Sequence, residues 1–177
     1  APVFRETGLF HEKLVRSQDI EMSSRIRSAG GTLWWVPSAE TTYFARIRLN
    51  AYAKHNWSNG AWSILPALHL GHLPMSWRHL VPLAFVSTLA LSVIAALSAP
   101  PLRWLPLLAA GPYLAVNLAV SLRAAVQQRD VALAGCLPVA FAVLHVGYGA
   151  GSLWGLVQLA AHRLRRPSEV PVHSPNL

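Results

Sequence analysis

Two carboxylates, Asp19 and Glu21, open a stretch of helical spacing, with Gln18 directly before them. A carboxylate within hydrogen-bond reach of a hydroxyl can take its proton, so general-base chemistry is the first use to weigh for them. Residues two apart on a helix do not share a face, so the pair would not act on one atom. The plainer use is decoration of a helix N-terminus, where a carboxylate gains about 0.3–1 kcal/mol. A second constellation is Lys54-His55-Asn56-Trp57-Ser58-Asn59-Gly60-Ala61-Trp62, which interleaves a cation, an imidazole and two indole faces. Arg46 and Arg48 precede it and suit either a phosphate or anionic headgroups. His145 sits in an apolar stretch where an ionisable group is costly. With Tyr148 one turn on and glycines around it, a hydrogen-bonded structural histidine is the simpler reading. Cys136 is the single cysteine and cannot pair within the chain. No His or Cys spacing makes a metal site.

The elements that would hold these residues fall into two materials. The first 78 residues carry most of the acids and more than half of the bases. Ser17 reads as an N-cap, Asp19 and Glu21 as a first turn, Met22, Ile26 and Ala29 as helical spacing, and Gly30-Gly31 as the stop. Thr32–Val36 and Thr41–Arg46 are rich in β-formers and read as strands. Residues 48–64 turn helical again, with Leu49, Tyr52, Ala53, Trp57 and Ala61 near one face. Trp57, Trp62 and Trp77 beside Lys54 and Arg78 fit a helix lying at a bilayer surface, so 48–78 is read as an interfacial region.

From residue 79 charges nearly vanish. None occurs in 79–102, 104–122 or 131–162. About 20 apolar residues at roughly 1.5 Å each cross the roughly 30 Å hydrocarbon core of a bilayer, so spans are expected at about 79–98, 104–122 and 131–161. A chain with 53% hydrophobic and 12% charged residues fits membrane residence. The net charge of +8 is better explained by anionic headgroups than by nucleic acid, which is not expected as a partner. With residues 1–78 cytoplasmic, Arg123 and Arg129 return inside, but a single third crossing puts the basic, proline-rich 163–177 outside. Either the last segment is re-entrant or surface-lying, or the rule is broken here. The opening residues lack the features of a secretory signal, and the chain is expected to be the C-terminal part of a longer protein.

Gly8-Leu9-Phe10-His11-Glu12, then Gln18-Asp19-Ile20-Glu21-Met22-Ser23-Ser24-Arg25-Ile26 with Gly30, then Pro37, resemble a known series. It is the "G-x-F-D-E … E-D-x-E-L-x-x-R-L-x-x-x-G … P" pattern of glycosyltransferase family 2. Leu80-Val81-Pro82-Leu83, Leu137-Pro138 and the run from His145 to Gly155 look like the membrane tail of its exopolysaccharide, succinoglycan-type members. The resemblance implies an α/β fragment, the C-terminal part of a GT-A catalytic domain over 1–47, followed by an all-α transmembrane region. It implies inverting transfer of a sugar from a nucleotide sugar to a lipid-linked saccharide at the bacterial inner membrane. Asp19 matches the second acid of the family's E-D pair and is the candidate base. Gln18 stands for the first acid, His11 for an Asp, and Glu21 is an acceptor-orienting or structural partner. Lys54, His55, Trp57 and Trp62 fall in a segment like the family's "R/K-Q-x-x-R-x-G-x-W", near acceptor and diphosphate, with His55 in place of Gln and Ser58 in place of Arg. A divalent cation is expected in the complete enzyme, but its D-x-D ligand motif is absent from this chain. Two alternatives stand beside this reading: a non-enzymatic membrane subunit of polysaccharide assembly or export, and a degenerate domain that binds sugar nucleotide without transferring.

Overall fold

The computed structural model describes residues 2–74 and 76–165. Its helices are α1 (Pro2–Thr7), α2 (Gln18–Ser28), α3 (Leu49–Ile64), α4 (Ala67–Leu70), α5 (Val81–Ser98), α6 (Leu105–Gln128) and α7 (Ala132–Arg165), with short 3-10 turns at Trp77–Leu80 and Pro100–Leu102. No strand forms among the described residues, which corrects the expected α/β fragment: the fold is all-helical. Thr32–Val36 and Thr41–Arg46 have the side chains of strands but no ladder. A lone pair of short strands is marginal in water without a third strand or a helix to cover it. Here every residue from 27 to 51 is exposed, so nothing covers them.

Helix α2 begins and ends where its residues direct. Gly30, at φ +82°, supplies the left-handed stop. At the other end Ser17 takes the cap position with φ +63°, yet its hydroxyl donates to the Trp62 carbonyl at 3.3 Å and not to the helix. Glu21 and Met22 are the buried face of α2. Arg25 ties that helix to the chain before it, donating to the carbonyls of Thr7 and, at 2.7 Å, Leu9.

Three helical stretches, Trp77–Ser98, Pro100–Gln128 and Ala132–Arg165, are long and apolar enough to cross a membrane. The connections between them are short, so α5, α6 and α7 run up, down and up. Helix α7 is unbroken through Pro138 and the glycine run. At 34 residues it is roughly 51 Å long, well beyond one hydrocarbon thickness. The basic tail beyond Arg165 lies outside the described residues.

The tightest packing joins α3 to α7. Gly147 faces Ala53 and Asn56, Gly151 faces Trp57, and Gly155 faces Ala61 and Ile64, so the two helices run parallel in a four-residue register. A Cβ on Gly151 would sit 2.0 Å from the Trp57 carbonyl oxygen, and one on Gly60 would sit 1.9 Å from that of Tyr148. Only glycine lets the two backbones come this close, as in small-residue packing between membrane helices. The hydroxyls of Ser63 and Ser152, 3.2 Å apart, bridge the contact, and Ser152 also donates to the Gly60 carbonyl at 3.1 Å. The buried face of α3 is therefore Asn56, Gly60, Ala61, Ser63 and Ile64. Leu49 and Trp57, from the expected apolar face, stay exposed.

Candidate functional site

The first turn of α2 stands over a junction of elements. Asp19 is exposed there, and its carboxylate has no hydrogen bond or ion pair among the described residues. It lines two polar clefts. One, of about 630 Å³, is shared with Ser23, Arg27, Leu73, Ser76 and His79. The other, of about 390 Å³, is shared with Arg16, Ser17, Asn59, His79 and Tyr148. A carboxylate with free lone pairs in a space of this size can accept a proton from a bound hydroxyl.

The other expected residues are placed differently. Gln18 turns back on the chain and donates to the Leu14 carbonyl at 2.5 Å. Glu21 is buried and paired with Arg25, whose Nη2 donates to Oε2 at 2.9 Å, so it holds α2 together and does not reach the clefts. His55 lies beside the Asn59 amide (3.1 Å) and the Arg16 guanidinium (3.4 Å), and Arg16 donates to Asn59 Oδ1 at 2.8 Å. Lys54 and Trp57 are exposed and line neither cleft. Trp62 takes part through its carbonyl, which receives Ser17. Arg46 and Arg48 line a separate cavity of about 520 Å³ with Tyr52 and Cys136. His145 is hydrogen-bonded, its Nδ1 3.2 Å from the hydroxyl of Tyr113 on α6.

Four residues of the Asp19 clefts, Arg16, Asn59, His79 and Tyr148, are not among the expected site residues. Two carry a signal in the sequence. Asn59 is one turn beyond His55, and His79 ends a Trp77-Arg78-His79 run at the mouth of α5. Arg16 lies three residues before Asp19, and Tyr148 is brought in by tertiary packing. Among the described residues no group of three or more His, Cys, Asp or Glu is placed to hold a metal ion.

Two histidines outside the spans are held below the usual imidazole range. For His55 the cause is burial first, then the charges of Arg46 and Arg16. For His69 it is burial, then Lys13, His11 and His162. A lowered folded value means that the unfolded chain binds more protons, so stability is intact above about pH 6.5 and falls as pH drops below it. Thermal unfolding in detergent should give a lower midpoint at pH 5.5 than at pH 7.5, with His55→Gln plus His69→Gln narrowing the gap. A midpoint that rises on acidification contradicts this placement of the two rings.

No protein-family model, curated protein or solved structure matches the chain.

Proposed function

We propose that this chain is the acceptor-side and membrane part of an inverting glycosyltransferase of the family 2 kind, acting at the cytoplasmic face of a bacterial inner membrane. The observation that carries the reading is the unpartnered Asp19 carboxylate facing two polar clefts beside the membrane helices. Glu21, by contrast, is buried in an ion pair. In the reaction the acceptor hydroxyl oxygen forms a bond to the anomeric carbon as the bond from that carbon to the diphosphate oxygen breaks. Asp19 receives the hydroxyl proton, and the diphosphate leaves with the bonding electrons. Attack opposite the leaving group inverts the anomeric centre. The sequence pattern and this placement together support the role.

The non-enzymatic alternative draws on one observation. Trp34, Trp35, Phe44 and Ile47 stand more than four-fifths exposed on a segment with no core of its own. Such a surface suits a partner protein. A transfer assay separates the two. Membranes carrying the complete protein are incubated with radiolabelled nucleotide sugars and lipid-linked saccharides, and the product linkage is analysed. Labelled product with an inverted anomeric configuration supports the enzyme; folded protein that moves no sugar from any donor overturns it.

A further inference from the structure

Among the three spanning helices lies a cavity of about 370 Å³ that shares no lining residue with the Asp19 clefts. Helix α5 lines it with Phe85, α6 with Tyr113, Val116 and Val120, and α7 with Phe141 and His145. Each helix thus brings at least one ring. Phe85 and Tyr113 have centroids 4.6 Å apart, the His145 ring meets Tyr113 edge-on at 5.5 Å, and Phe141 is 6.4 Å from His145. Val116 and Val120 are exposed on a spanning helix, so the cavity opens toward lipid. An apolar cavity of about 150 Å³ admits one benzene ring, so this one has room for two fused rings.

The polar groups that line it are spent on one another, with one exception. The Asn117 amide donates to the Pro138 carbonyl at 3.1 Å, and because that carbonyl can only accept, the amide's orientation is fixed. The same Nδ2 lies 3.5 Å from the Tyr113 hydroxyl oxygen, which leaves the hydroxyl proton for His145 Nδ1 at 3.2 Å. A neutral imidazole that accepts at Nδ1 carries its proton on Nε2. That N–H has no acceptor among the described residues. It is not sealed in the packing either, so it meets the space that its ring lines. A single donor in an apolar space does not hold a water, which needs two to four polar partners. Left alone among spanning helices, the N–H is costly.

We propose that this cavity binds a planar aromatic carbonyl compound dissolved in the bilayer, the class to which quinone rings belong, with its carbonyl oxygen accepting from His145 Nε2. The carbonyl supplies the acceptor that Nε2 lacks. A flat ring system packs against Phe85, Tyr113 and Phe141 in offset or edge-on geometry. Being rigid, it also gives up less conformational freedom on binding than an alkyl chain does. The site goes beyond sugar transfer and does not depend on it, so its failure leaves the reading of Asp19 untouched.

The complete protein in lipid nanodiscs is dialysed to equilibrium against 2-acetylnaphthalene, 2-ethylnaphthalene or 2-dodecanone, with empty nanodiscs giving the amount that lipid alone takes up. The first carries fused rings and a carbonyl, the second the same rings with a methylene in place of the carbonyl, and the third a carbonyl on an alkyl chain. 2-Acetylnaphthalene should bind about tenfold tighter than 2-ethylnaphthalene, the scale of one hydrogen bond. It should bind at least about fivefold tighter than 2-dodecanone, the scale of an aromatic contact. His145→Phe keeps a ring and removes the N–H, so it should abolish the preference for the ketone and leave 2-ethylnaphthalene unchanged. If that variant lacks the helical circular dichroism of the parent, Tyr113→Phe plus His145→Phe removes both members of the pair and takes its place. Val116→Trp obstructs the mouth and should weaken both naphthalenes about tenfold, with Val120→Trp as its substitute. Equal binding of the two naphthalenes overturns the hydrogen bond. Equal or tighter binding of 2-dodecanone overturns the ring in favour of an alkyl chain. No uptake above empty nanodiscs, or folded variants that bind like the parent, overturns the site.

Discussion

Gly151→Leu is expected to detach α3 from α7. The Cβ of residue 151 would lie 2.0 Å from the Trp57 carbonyl oxygen, a backbone atom that cannot rotate away. The helices must therefore separate, and with them the Ser63 to Ser152 contact and the seat of Asn59 in the polar cleft. Overpacking a close contact costs about 1–3 kcal/mol, and a backbone clash belongs at the upper end or beyond. Gly135→Leu is the matched control. It lies on the same helix, and a Cβ there meets nothing within 4 Å. It should be neutral or slightly stabilising, since leucine is the better helix former. Trypsin cleavage after Lys54, an exposed residue in the middle of α3, reports the difference, because cutting there needs local unfolding. Rapid cleavage of Gly151→Leu with protection of Gly135→Leu is the expected pattern; equal protection of both contradicts the packing.

The same contact shows what a sequence reveals and hides. The spans were legible because length and lack of charge set them, and α5, α6 and α7 lie close to where those features place them. The segment that became α2 was legible from its acids, its spacing and its glycine stop. The buried face of α3 was legible only in part. Ala53 and Ala61 of the expected face do meet α7, but its large residues Leu49 and Trp57 stay exposed, because packing against a membrane helix selects small size, and Gly60 and Ser63 took the rest of the interface. The strands at 32–36 and 41–46 failed for a related reason: β propensity describes a fit to a neighbour, and no neighbour is there. At the site, Asp19 was legible as an acid at a helix mouth. Its companion Tyr148 was not, because it lies 129 positions further along the sequence and reaches the cleft only through tertiary packing.

Asp19→Asn is expected to lower sugar transfer by about 10²- to 10⁴-fold, the range that a positioned general base contributes. The amide keeps the size and hydrogen-bonding shape of the side chain but cannot take a proton. Because the Asp19 carboxylate makes no hydrogen bond or ion pair among the described residues, the substitution should cost stability no more than the helix-terminus term, about 0.3–1 kcal/mol. Donor affinity should also hold, since the proton is lost from the acceptor. Glu21→Gln should behave in the opposite way. It removes the charged partner of Arg25 inside the fold, at a cost of roughly 1–3 kcal/mol, while the clefts keep their lining.

The comparison of these two acids probes the functional account most directly: transfer rate per folded molecule for Asp19→Asn and Glu21→Gln, measured in the same membranes with the complete protein. The account predicts a collapse of at least about a hundredfold for the first and a rate near the parent's for the second. A folded Asp19→Asn protein that turns over like the parent, or a loss confined to Glu21→Gln, contradicts it.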